Sequence, residues 1–137
     1  MVFGYIGHPL LYARCLMSAV DDLREYLREG EVVEAIVFGP WGWGSAPIDG
    51  EDWEPGFGEP SPPPVPFDKR GVVLTLDEAE SYMESWSFYG GYGSPDCYAT
   101  YIWTNQRVIW VIQYDGSTGL DSAPRHPRGD MPDMPGG

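Results

Sequence analysis

Between Cys97 and Tyr114 the chain reads CYATYIWT and RVIWVIQY, two runs of alternating β-branched and aromatic residues separated by Asn105-Gln106. A period of two, repeated across a two-residue gap, predicts an antiparallel hairpin. This pair commits the chain to an antiparallel sheet. Asp115-Gly116 predicts the next turn, and Ser117 to Ser122 one more short strand. In the first run Tyr98, Thr100 and Ile102 fall on one side and Ala99, Tyr101 and Trp103 on the other. In the second, Val108, Trp110, Ile112 and Tyr114 lie opposite Ile109 and Val111. Both sides are apolar, the pattern of a sheet buried on both faces.

The rest of the chain must supply those covers. Leu16, Ala19, Val20, Leu23, Tyr26 and Leu27 recur at helical spacing, predicting an amphipathic helix from Pro9 to Glu29, with Gly30 just past its end. Glu31 to Phe38 predicts a buried strand, and Gly71 to Leu74 a short one. Thr75 with Glu78 matches a capping box, opening a short helix from Leu76 to Ser85. Between Gly39 and Arg70 lies a long interruption dense in proline, glycine and acid. Its Trp41, Trp43, Trp53, Phe57 and Phe67 argue that it is ordered, because such rings are a liability when they dangle. The fold class is therefore α+β: an antiparallel sheet of about four to five strands, one long N-terminal helix, one short helix and a long Pro/Gly-rich loop. Residues 1–124 form one domain, and 125–137 a tail too poor in apolar residues to fold alone. With a single long helix, the sheet's second face is expected to be covered by the long loop or at a homo-oligomer interface.

Charge narrows the functional classes. Twenty-one acids against eight Lys and Arg leave a net charge of -13, which repels nucleic acid and anionic membranes and permits a basic protein partner or an acidic decoy that imitates nucleic acid. The acid run from Asp49 to Glu59 is either such a mimic strip or a solubilising loop. Cys15, Cys97, His8 and His126 have no metal-ligand or redox spacing, so no metal and no cofactor are expected. The two cysteines are expected as reduced thiols. A Cys97–His126 nucleophile pair has no supporting motif, and no enzyme activity is expected.

Two glycine–aromatic stretches stand out, FGPWGWG and SFYGGYGSPDC. If the sheet brings them together, Trp41, Trp43, Tyr89 and Tyr92 make a flat-walled pocket suited to a nucleobase. Arg70, Arg107 and Arg125 would grip its phosphates. The alternatives are rings packed as satellite core and arginines engaged in salt bridges.

Ser94 to Pro127, about a quarter of the chain, resembles small acidic accessory proteins of bacteriophages, through its tryptophan richness and the YDGST…PRHP ending. The resemblance implies a phage or prophage origin and action in the cytoplasm of an infected bacterium. It implies an anti-defence role: with the aromatic loops and arginines, the expected function is to sequester a small nucleotide signal, the alternative being an acidic inhibitor or DNA mimic that blocks a host defence protein.

Overall fold

The computed structural model describes residues 17–47, 56–90 and 92–134. Helix α1 spans Ala19–Tyr26 and strand β1 Val33–Trp41. Helix α2 spans Leu76–Glu80 and runs into a 3-10 turn at Ser81–Met83. Strands β2 (Tyr98–Thr104), β3 (Arg107–Tyr114) and β4 (Ser117–Pro124) follow. The four strands form one sheet in the order β1-β2-β3-β4, every neighbouring pair antiparallel. The fold is the expected α+β class.

The hairpin forms as its alternation predicts, with Ile102 opposite Ile109 and Trp103 opposite Val108. Asp115 (φ 50°) and Gly116 (φ 81°) turn the chain from β3 into β4. Two consecutive left-handed residues match the right-handed twist of the strands they join. The Thr75–Glu78 capping box is present, with each side chain bonded to the other's backbone N–H. Those bonds, the backbone N–H of Thr75 first, hold the Glu78 carboxyl below its usual range.

A long N-terminal helix is not seen. Ser18 is extended, and its hydroxyl accepts from the Asp21 N–H while Asp21 accepts from the Ser18 N–H. That capping box starts α1 within the apolar period that predicted continuous helix. Positions 9–16 of the predicted helix lie outside the described residues. At the other end Leu27 is already extended. The Arg28 N–H turns to the Glu31 carboxylate at 2.9 Å, which draws the chain out of the helix before Gly30. The expected strand at Gly71 to Leu74 is reduced to two bridges on β1, Leu74 with Ile36 and Arg70 with Phe38. Gly71 at φ +72° bends the backbone between them.

The core lies on one side of the sheet. Ile36, Phe38, Tyr98, Ile102 and Ile109 point into it, met by Ala19, Val20 and Leu23 of α1, by Ala79 and Met83, and by Val65 of the long loop. Trp41, Trp86, Phe38, Phe88 and Tyr98 join edge to face, with centroids 5.0–6.4 Å apart, the arrangement aromatic quadrupoles prefer. Asp22 is buried on α1, where its carboxylate accepts from the Ser87 hydroxyl at 2.6 Å and the Phe88 N–H at 2.8 Å. On the sheet's other side none of Ala35, Val37, Ala99, Tyr101, Trp103, Val108, Trp110 and Ile112 is buried. Among the described residues the expectation of a sheet buried on both faces is not met. The described part of the long loop packs on the core side instead, through Val65 and Arg70.

Candidate binding surface at the glycine–aromatic end of the sheet

Antiparallel pairing sends the end of β1, the start of β2, the end of β3 and the start of β4 to the same end of the sheet. Both glycine–aromatic stretches arrive there. The Gly42 N–H donates to the Cys97 carbonyl at 2.8 Å, and a Cβ at Gly42 would stand 3.0 Å from the Pro95 carbonyl oxygen. Such an approach requires glycine. The Gly93 N–H donates to the Gly116 carbonyl at 2.7 Å, and the Gln113 amide donates to the Gly93 carbonyl. Tyr92 lies across Gly116, and Tyr89 across Gly119. Trp43 borders a shallow cleft of about 140 Å³ with Pro95, Ala99, Ile112 and Gln113.

Trp43 is 68% exposed, Tyr92 79%, Tyr89 48% and Tyr114 50%. Burial is the main cause of a raised Tyr89 phenol pKa. Asp96 and Asp115 stand exposed at the same end. Neither 85–106 nor 108–124 contains a Lys or Arg. The surface is therefore aromatic and acidic, on short glycine- and serine-rich turns.

The seven residues expected to form one pocket divide. Trp43, Tyr89 and Tyr92 are at this end and open to solvent. Trp41 is at the same end but only 3% exposed, within the aromatic core. Arg107 begins β3 and Arg125 follows β4, both at the far end of the sheet. Eight strand residues separate that end from Tyr114 by about 23 Å.

Arg70 lies instead beside Phe38 and Tyr98, and all three arginines are engaged. Arg107 grips Glu31 at two oxygens, Nε to Oε2 at 2.7 Å and Nη2 to Oε1 at 2.9 Å. It also donates to the Tyr26 carbonyl at 2.7 Å and lies 4.5 Å over the Tyr26 ring. Burial alone would raise the Glu31 carboxyl pKa. The bonds from Arg107, the Arg28 N–H and the Thr104 hydroxyl outweigh it and hold the group at about 2. Arg125 pairs with Glu34 and donates to the Thr104 carbonyl at 2.7 Å. Arg70 is buried against Glu59, donates to the Val65 carbonyl at 3.0 Å and lies 4.2 Å over the Phe67 ring. Glu59 also accepts from the Tyr98 hydroxyl at 2.5 Å. Burial first, then that bond, pushes the Tyr98 phenol far upward. Glu59 thus belongs to the interior. Asp49, Glu51, Asp52 and Glu54 of the predicted acid run, and Trp53 within it, lie outside the described residues.

Two other places bear on chemistry. Cys97 is buried, and burial, with Asp96 and Asp22 beside it, pushes its thiol up to about 12. Such a thiol stays protonated and is a poor nucleophile. His126 follows β4 at the opposite end, so the two do not meet. A larger cleft of about 580 Å³ lies between the end of β4 and the tail, with Arg28, Trp110, Asp121, Arg128 and Asp133 on its walls. Arg128 there pairs with Asp130, and Arg107 with Glu31, so acids match the bases. Among the described residues no three His, Cys, Asp or Glu side chains are placed to hold a metal ion. Among the same residues no helix is long and apolar enough to cross a membrane.

Tyr114, Asp96 and Asp115 were not singled out as site residues in the sequence. Their place follows only from the pairing of β1 with β2, which carries the first aromatic loop to the end where the β3–β4 turn lies. Comparison of the chain with protein-family models, with curated proteins and with solved structures finds no match.

Proposed function

We propose that this chain is a non-enzymatic binding protein that recognises a basic protein surface through the glycine–aromatic end of its sheet. The observation that carries this reading is the gathering of Trp43, Tyr89, Tyr92 and Tyr114 with Asp96 and Asp115 at an end whose nearby Arg70 is buried against Glu59. Trp and Tyr are the residues that most often dominate binding energy at protein interfaces. Set among glycine and serine, they offer large rigid contact area on an adaptable backbone, as antibody loops do. Lys and Arg side chains stack on such rings, and a net charge of -13 steers a basic partner toward them. In the phage-type setting implied by the resemblance, the partner is a host defence protein and the location the cytoplasm of the infected bacterium.

The nucleotide-sequestering alternative needs cations beside the rings. The engagement of Arg70 by Glu59 and of Arg107 by Glu31, and the distance of Arg107 and Arg125 from the rings, favour the protein-binding reading over it.

The test compares proteins captured from a bacterial host extract by the wild-type chain, by a Trp43→Ala/Tyr92→Ala variant and by Arg128→Ala. Both aromatic positions are exposed, so the fold is spared. A specific partner should be lost from the double variant and kept by Arg128→Ala. Its affinity for the wild type should fall steeply as salt rises from about 0.05 to about 0.3 M. A partner held equally by the double variant sinks the proposal. A nucleotide released by heat from the purified chain, with no protein partner, would establish the alternative.

A further inference from the structure

The side of the sheet turned away from the core forms a continuous surface. One row crosses all four strands through Ala35, Trp103, Val108 and Ala123. The next runs through Val37, Tyr101, Trp110 and Asp121. Beyond it Gly39 lies against Ala99, and Ile112 pairs with Gly119. The Tyr101 and Trp103 rings stand 5.8 Å apart, and Tyr101 is 55% exposed. Asp121 is the only charged side chain in these rows. The large residues sit on β2 and β3, with Ala35, Gly39, Gly119 and Ala123 on the flanking strands.

We propose that this face is the contact between two copies of the chain, packed sheet on sheet about a two-fold axis. Extent is the first argument. Four strands at about 4.8 Å spacing and about 25 Å of strand length give nearly 500 Å² in projection. That is close to the lower bound of about 600 Å² per copy for a stable interface. Chemistry is the second. The face itself carries one carboxylate, and at its β4 border the tail adds charges of both signs, Arg128 with Asp130 and Asp133, so it offers a basic partner far less net charge than the acidic aromatic end. An apolar sheet face is complementary to another of its kind, and two such faces pack about 10 Å apart into a sandwich core. Shape is the third, because Ala35 and Gly39 of β1 leave room beside the ridge of rings for the ridge of the other copy, whereas Tyr89 fills the space at Gly119 of β4. This inference does not rest on the partner proposed above, although Ala99 and Ile112 border both surfaces.

The two copies each carry -13, so their long-range repulsion opposes assembly, and salt relieves it. The dimer therefore has a salt signature opposite in sign to that of basic-partner binding. Sedimentation equilibrium of the full chain should give twice its 15.3 kDa mass at micromolar concentration. The dissociation constant should fall as salt rises. Trp103→Glu should raise it at least about 100-fold. Tyr101→Lys, at a position already half exposed, serves where Trp103→Glu fails to fold and should also leave a monomer. A wild-type monomer at about 100 μM, in low and high salt alike, overturns the proposal. In that case the reactivity of a Tyr101→Cys thiol toward a maleimide, above the wild-type background, identifies the occupant. Protection would assign the face to a segment of the chain itself, and free reaction would show it open in the monomer.

Discussion

Glu31 and Arg107 meet across 76 positions of sequence, sealed by the Thr104 hydroxyl at 2.6 Å from the carboxylate. Neither side chain is more than 5% exposed, so each charge depends on the other. Arg107→Met leaves a buried carboxylate without its cation, and stability should drop by about 3–5 kcal/mol in a denaturant titration. Replacing both, as Glu31→Leu with Arg107→Met, should restore much of that loss, because no charge is then stranded. Acid tests the same pair. The carboxyl titrates at about 2 in the folded chain against an ordinary 4.5. Its contribution, roughly 3 kcal/mol, is complete above pH 4.5 and disappears as pH falls toward 2. A stability profile flat across that window would contradict the bonding described. Arg107 and Glu31 are visible in the sequence only as charges, since no spacing joins residues so far apart. The short-range pairs are legible for the converse reason: Thr75 and Glu78 satisfy each other's backbone within one helical turn.

At the scale of elements, the β3–β4 turn depends on two residues in left-handed conformation, and only one of them is glycine. Gly116→Ala combines a φ of +81° with a Cβ placed 3.1 Å from the Tyr92 ring. It should lower the denaturant midpoint by the equivalent of about 1–2 kcal/mol with an unchanged slope, and should disturb Tyr92 at the binding end. Asp-Gly between alternating runs announces this turn, and the hairpin before it is equally plain. The boundaries of α1 are not, because the apolar period runs through Ser18 while the capping box that stops it depends on backbone geometry at that residue. Gly71 to Leu74 carries strand-forming valines, yet Val73 is 71% exposed and only the ends of the segment touch β1. Composition there reports propensity, while the left-handed Gly71 decides the path.

For the molecule as a whole, the charge and the apolar face pull in different directions. The glycine–aromatic end was legible as two suggestive loops, and their union depended on which strands pair. The arginines misled because their residue type suits a phosphate while their positions suit buried ion pairs. The strand order has a kinetic consequence as well. Strands β2, β3 and β4 are consecutive in sequence and joined by tight turns, so their pairing closes only short loops. Strand β1 must find β2 across the chain from Trp41 to Tyr98, an entropic cost of about 3–4 kcal/mol for a connection of roughly 55 residues. The three-stranded meander is thus expected to lead folding, with β1 and the helices condensing on it late. In dilute solution Ile109→Val should mainly slow refolding, whereas Ile36→Val should mainly speed unfolding, as read from the two limbs of a chevron plot. Until β1 arrives, the inner edge of β2 stands unpaired, and the nascent chain passes through a state whose exposed strand can pair with a neighbour of its own kind.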